Sequence, residues 1–211
     1  MKINEIFYSI QGEGPESGKP SIFIRTQGCN MEPKCSFCDS SYSWCEGKEM
    51  TNGEIFDKIN NYSCTNIIFT GGEPTLQIQG IKDFENYCWE EKGISMQISI
   101  ETNGLIYNEF LYEFCVVMVS PKKQNYNMEI LQQIRYVPNT YFKFVYDKDL
   151  WFEKVIEDLE IVNERVYIMP EGKTKEEQEK NMEEVIEYCK RKKYKFCPRI
   201  HIMIWNNRRA V

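Results

Sequence analysis

The chain is 211 residues long, 42% hydrophobic and 27% charged, which suits one ordinary globular domain with a sizeable core. Its formal net charge of −6 argues against nucleic acid as the main partner, because binding phosphates needs a basic footprint. No apolar run nears the ~20 residues of a membrane span and no signal-peptide pattern opens the chain, so a cytoplasmic protein with no membrane partner is expected.

In chain order, residues 1–7 read as the start of a strand. Apolar, β-rich runs follow at 21–26, 66–70, 95–101, 116–120, 141–146, 165–169 and 199–205. Helical patterns fall between them. Thr51 and Glu54 form a capping box ahead of Ile55, Phe56 and Ile59, and Thr174 with Glu177 repeats it ahead of Met182, Val185, Ile186 and Cys189. Further helices are expected at 78–91, 127–136 and 151–162, and the basic run at 190–195 ends a helix where cations complement the macrodipole. This alternation predicts right-handed crossovers, a mainly parallel sheet and a single α/β domain over residues 1–211. In the last run, strand alternation would put Arg199, His201 and Met203 on one face.

Polar or Gly/Pro-marked sequences close four of these strands: Thr70-Gly71-Gly72-Glu73, Glu101-Thr102-Asn103-Gly104, Ser120-Pro121-Lys122 and Met169-Pro170-Glu171-Gly172. Ligands of parallel α/β folds bind at the C-terminal edge of the strands, so the four ends are expected to share one site.

The strongest chemical signal lies between the second strand and the first helix. Cys29, Cys35 and Cys38 are spaced Cys-x5-Cys-x2-Cys within Gly28-Cys29-Asn30 to Cys38-Asp39, in a chain whose nine cysteines favour thiol and metal chemistry over a disulfide framework. Three thiolates leave a four-iron cluster one ligand short, and that open iron can take a chelating cosubstrate. Structural zinc is the competing reading, with Cys45 as the fourth ligand. Cys64, Cys88, Cys115, Cys189 and Cys197 fall in apolar patterns that suit small buried hydrophobes.

The cysteine loop followed by Thr70-Gly71-Gly72-Glu73-Pro74 resembles the radical S-adenosylmethionine (SAM) enzymes. The segment from Glu5 to Pro15, Phe23-x-Arg25-x-x-Gly28-Cys29-Asn30, Cys38-Asp39-Ser40, residues 100–104 and residues 120–122 narrow the likeness to the 7-carboxy-7-deazaguanine synthase family. It runs from residue 5 to about residue 122, with looser echoes at 169–172 and in the C-terminal run. The superfamily's usual spacing is Cys-x3-Cys-x2-Cys. The longer first gap here matches this family's variable loop, and Ser40 stands where the family often has threonine.

The resemblance implies a partial (incomplete) β/α barrel whose cluster-binding loop spans 29–38, with Cys29, Cys35 and Cys38 holding a [4Fe–4S] cluster. It implies that Phe37, Cys38, Asp39, Gly72, Ser120, Pro121, Lys122, Met169, Pro170, Glu171 and Gly172 contact SAM, and that Ser40 ligates Mg2+. Ile10, Gln11, Gly12, Glu13, Arg25, Thr70 and His201 would contact a pterin, 6-carboxy-5,6,7,8-tetrahydropterin, which is contracted to 7-carboxy-7-deazaguanine with loss of ammonia, an early step towards queuosine and other 7-deazapurines. Glu101 and Asn103 would reach either SAM or substrate, and no side chain is assigned a catalytic role beyond the cluster and SAM. The resemblance further implies an external electron donor of flavodoxin or ferredoxin type and a homodimer. Two other functions remain open at this point: a radical SAM activase that makes a glycyl radical on a partner enzyme, and a zinc-stabilised binding module without catalysis.

Overall fold

A computed structural model describes residues 1–211. Nine strands form one sheet in the order β3-β1-β2-β4-β5-β6-β7-β8-β9. They are β1 (Lys2–Ile10), β2 (Pro20–Thr26), β3 (Lys48–Glu49), β4 (Asn66–Gly71), β5 (Gln97–Thr102), β6 (Val116–Val119), β7 (Thr140–Val145), β8 (Val166–Met169) and β9 (Lys195–Phe196). Strand β1 is antiparallel to both β2 and β3, and every other pairing, from β2–β4 to β8–β9, is parallel. The helices are α1 (Asn52–Ile59), α2 (Ile78–Glu90), α3 (Met128–Ile134), α4 (Trp151–Asp158), α5 (Lys175–Lys192) and α6 (Ile200–Trp205). Both predicted capping boxes form, at Thr51/Glu54 and Thr174/Glu177, so each helix begins where two otherwise orphaned backbone donors find side-chain acceptors.

Alternation along each strand sorts the sheet into two faces. Ile22 and Ile24, Ile67 and Phe69, Ile98 and Ile100, Val117 and Val119, Phe142 and Phe144, and Val166 and Ile168 all enter one core cluster of 34 buried residues with the helices. The interleaved positions face the other way and carry polarity: Arg25, Thr70, Glu101 and Lys143. A small apolar patch of Met118, Tyr167, Met169 and Cys197 completes that inner surface.

The sheet is open, since β3 and β9 are its two edges, and it is strongly curled. Five strand-to-strand steps separate β1 from β7, about 24 Å at ~4.8 Å per step if the sheet were flat. Yet Lys143 of β7 pairs with Glu13, three residues beyond β1, and the Gly14 amide lies 3.3 Å from Cys197 Sγ just past β9. Curling and the inward course of residues 11–16 together bring these groups into contact. An incomplete barrel with a polar interior results.

One predicted element is wrong in kind. Residues 199–205 do not form a strand; Ile200–Trp205 is helix α6. Sheet pairing ends when the Cys197 amide donates to the Ile168 carbonyl, and Pro198 has no N–H with which to continue. The Ile200 amide donates instead to the Gly12 carbonyl at 3.1 Å. Helical spacing then buries Ile202 and leaves Met203 and Ile204 exposed, so the predicted face shared by Arg199, His201 and Met203 does not exist. The short strands β3 and β9 had no counterpart among the predicted elements.

Candidate active site

The concave side of the sheet encloses a cavity of about 1030 Å³ that opens at the C-terminal ends of the parallel strands. Of the residues assigned from the sequence to cluster, SAM, magnesium or substrate, all but Pro121 line this one space. Pro121 is buried beside it. Glu101 and Asn103 line it as well.

The cluster loop is pressed against the end of β4. Gly71 has φ +131, and a Cβ there would lie 2.4 Å from the Thr26 carbonyl oxygen. A Cβ on Gly72 would lie 1.8 Å from the Gly28 carbonyl oxygen. Two glycines are therefore required for the turn to approach the loop, while the Glu73 amide donates to the Gly28 carbonyl at 2.7 Å. The Glu73 carboxylate is fully buried and accepts four hydrogen bonds, from the Thr75 amide (3.0 Å) and hydroxyl (2.7 Å), the Thr102 hydroxyl (2.8 Å) and the Asn103 amide (2.7 Å). It ties the end of β4 to the end of β5. Burial pushes its pKa up against the opposing pull of those donors.

Cys29, Cys35 and Cys38 are free thiols, each partly exposed to the cavity. No three His, Cys, Asp or Glu side chains close around a single ion. Three thiolates on one loop suit a four-iron cluster, in which each cysteine holds a different iron and one iron stays open. Burial pushes the Cys29 and Cys38 thiols up, a tendency that coordination reverses because a metal binds the thiolate. Surrounding groups brace the loop: Lys34 donates to the Cys29 carbonyl at 2.8 Å, Asn103 to Asn30 Oδ1 at 2.7 Å, Lys173 to the Ser36 carbonyl at 3.2 Å, and Gln124 Nε2 lies 2.9 Å from Cys35 Sγ.

Opposite the loop lies a dense set of charges. Arg25 Nε donates to Glu5 Oε1 at 2.7 Å and its Nη1 to Ser40 Oγ at 3.2 Å, with the guanidinium over the Tyr42 ring. Ser40 in turn donates to Asp39 Oδ1 at 2.8 Å. Gln11 Nε2 donates to Glu101 Oε1 at 3.0 Å, and Gln11 Oε1 accepts from the Glu13 amide at 3.1 Å, so part of its amide is spent within the protein. Glu13 is more fully committed. It accepts from Lys143 and, at 2.9 Å, from Arg199 Nε, with His201 Nε2 3.9 Å away. Burial alone would raise its pKa, but Lys143 and Arg199 hold the carboxyl well below the usual carboxylate range. Glu13 thus lines the cavity as an ionised carboxylate, part of whose acceptor capacity is taken by Lys143 and Arg199.

Two buried charges that line the cavity were not assigned from the sequence: Lys143 and Arg199. Lys143 had a legible signal, since a lysine alternating with Phe142 and Phe144 in a strand must face away from the aromatic core. Arg199 did not, because its placement depends on the turn at Pro198. Burial lowers the Lys122 pKa, with Lys143 nearby acting in the same direction, and Lys122 Nζ lies 2.6 Å from Ser120 Oγ. Burial likewise lowers the His201 pKa, against the pull of Glu13.

A glycine-shaped turn against a three-cysteine loop, at the open end of a curled parallel sheet, defines the class. The family model described as the radical SAM superfamily matches residues 23–204, and the chain belongs to that superfamily, whose members work with a [4Fe–4S] cluster and SAM and draw on an electron donor. The 7-carboxy-7-deazaguanine synthase of Pyrobaculum aerophilum is 30% identical over 100% of this chain and 97% of its own. That of Bacteroides thetaiotaomicron is 52% identical over 49% of this chain and 52% of its own. Within the superfamily the chain belongs to the 7-carboxy-7-deazaguanine synthase family. The crystal structure of QueE from Escherichia coli shares the fold, with a TM-score of 0.70 at 21% identity over 93% of this chain and 92% of that one. No helix is long and apolar enough to cross a membrane.

Proposed function

We propose that the chain converts 6-carboxy-5,6,7,8-tetrahydropterin to 7-carboxy-7-deazaguanine by radical ring contraction with loss of ammonia. The observation that carries this reading is the joining of the cysteine loop, the Gly72 turn and the Arg25–Gln11 wall in one cavity. Product plus ammonia accounts for every atom of the pterin, so SAM is regenerated rather than consumed. When bound, the cluster and SAM supply a carbon radical able to take the hydrogen atom from C6 of the pterin.

The chain's own residues bind, orient and exclude water. Cys29, Cys35 and Cys38 hold the cluster. Gly72 lets backbone groups approach the methionyl end of SAM, residues 37–39 border its adenine, and 120–122 with 169–172 border the remainder. Arg25 keeps free N–H groups beyond those given to Glu5 and Ser40, and a guanidinium fork suits the pterin carboxylate. Ile10, Gln11, Gly12, Thr70 and His201 surround the ring, and Glu101 is assigned to the substrate side because it hydrogen-bonds Gln11. Glu13 holds the wall's shape as an anion. Ser40 beside Asp39 offers hard oxygen donors for a sparsely held Mg2+. The electron comes from a flavodoxin- or ferredoxin-like donor, and a homodimer accords with the prevalence of two-fold assemblies.

Anaerobically reconstituted protein given reductant, SAM, Mg2+ and 6-carboxytetrahydropterin should form 7-carboxy-7-deazaguanine, detected by mass spectrometry. Cys35→Ala should abolish it together with iron uptake. Cleavage of SAM to 5′-deoxyadenosine without the deazaguanine would reject the substrate and leave the superfamily intact.

A further inference from the structure

Arg199 touches three segments that the sequence keeps far apart. Its Nε donates to Glu13 Oε1 at 2.9 Å, its Nη1 to the Gly172 carbonyl at 2.8 Å, and its Nη2 to Asp39 Oδ2. Those partners lie in the segment after β1, the turn after β8 and the cluster loop, separated from Arg199 by 186, 27 and 160 positions respectively. The residue is only 7% exposed although it lines the cavity. Its fork spends one nitrogen on each segment, which a lysine's single point of charge cannot do.

Two carboxylates offset the cost of burying the guanidinium, and the burial is not structurally redundant. The α6 helix is already fixed to the 11–13 segment by the Ile200 amide on the Gly12 carbonyl. Glu13 keeps Lys143 on its other oxygen. Neither contact reaches Gly172 or Asp39. Arg25 on Ser40 and Lys173 on Ser36 each tie the cluster loop to one neighbour, but only Arg199 bonds the 11–13 wall, the Gly172 turn and Asp39 together.

We propose that Arg199 is a positioning residue: a three-way clamp that holds the 11–13 wall, the turn at Gly172 and the cluster loop at Asp39 in one register, so that SAM is cleaved only against a seated substrate. This rests on the function and site assignments argued above, and for SAM itself on membership of the superfamily.

The test uses Arg199→Lys, which keeps the charge beside Glu13 and loses the fork, with Arg199→Ala as the stronger lesion. Both are reconstituted to the iron content of the wild type and checked for an intact fold by circular dichroism. Two quantities are read: the dissociation constant for SAM, and 5′-deoxyadenosine released per 7-carboxy-7-deazaguanine formed. Losing one charge-assisted hydrogen bond at the SAM side should weaken SAM binding by about tenfold. The 5′-deoxyadenosine released per product should rise by a similar factor, about tenfold, in Arg199→Lys. A merely structural role would lower both products in step with the folded fraction and leave their ratio unchanged, which would overturn the proposal. If the wild type forms no deazaguanine, the function reading fails separately, and SAM affinity then decides: weakening in iron-loaded, folded Arg199→Lys supports the clamp, and unchanged affinity overturns it.

Discussion

Replacing Lys143 by methionine keeps most of the side-chain volume and removes one buried charge. Lys143 is 5% exposed, pairs with Glu13 Oε2 and lies 3.8 Å from Glu101 Oε2. Breaking a buried pair by deleting one partner typically costs about 3–5 kcal/mol, because a charge is left behind without compensation. Here Arg199 still holds Glu13 Oε1 at 2.9 Å, so the low end applies, about 3 kcal/mol. The sign of the pH dependence follows from Glu13. Its folded pKa is depressed, so the stability it contributes is present above its usual value of 4.5 and lost as pH falls through the depressed value. Removing Lys143 shrinks that depression. The deficit of Lys143→Met should therefore be full at neutral pH and diminish as pH falls below the usual carboxylate value. Urea unfolding of the reduced, metal-free chain at neutral and acid pH reads both parts. A variant within about 0.5 kcal/mol of wild type at neutral pH, or a deficit that grows with acid, would refute the reasoning.

Three further substitutions probe other parts of the site. Gly72→Ala would place a Cβ 1.8 Å from the Gly28 carbonyl oxygen, so iron uptake should fail; Gly53→Ala, whose nearest atom is 3.4 Å away, should load normally. Glu73→Gln retains an acceptor for the three bonds to Oε1 but turns its amide NH2, itself a donor, towards the Asn103 N–H, orphaning that buried donor; thermal unfolding should show a loss of about 1–3 kcal/mol. Gly12→Ala puts a Cβ 2.2 Å from His201 Nδ1 and must displace the imidazole, so KM for the pterin should rise while iron content stays at the wild-type level.

The fold was largely written in local patterns. Alternation in 21–26, 66–70, 116–120 and 141–146, with two capping boxes between strands, was enough for a parallel α/β sheet, because periods of 2 and 3.6 are set by backbone geometry alone. The same local character made the cysteine spacing and the Gly71-Gly72 turn legible, since each acts through neighbours in sequence. The pairing of β1 with β2 as an antiparallel hairpin-like edge, and the short strands β3 and β9, gave no comparable signal.

What the sequence by itself determined was the inventory: three thiols at cluster spacing, glycines at a tight turn, and polar residues on alternate strand positions. Only the tertiary structure decided which of these groups meet and what state they hold. Residues 199–205 carry the alternation of a strand, yet Pro198 ends the sheet and the Gly12 carbonyl captures Ile200, so the segment coils into α6 and delivers Arg199 and His201 to the cavity. The sequence shows Glu13 without its partners, and the curl of the sheet brings Lys143 across to it. Charges separated by more than a hundred residues interact only through distance and shared burial, and the curl of the sheet, which local sequence does not encode, sets both.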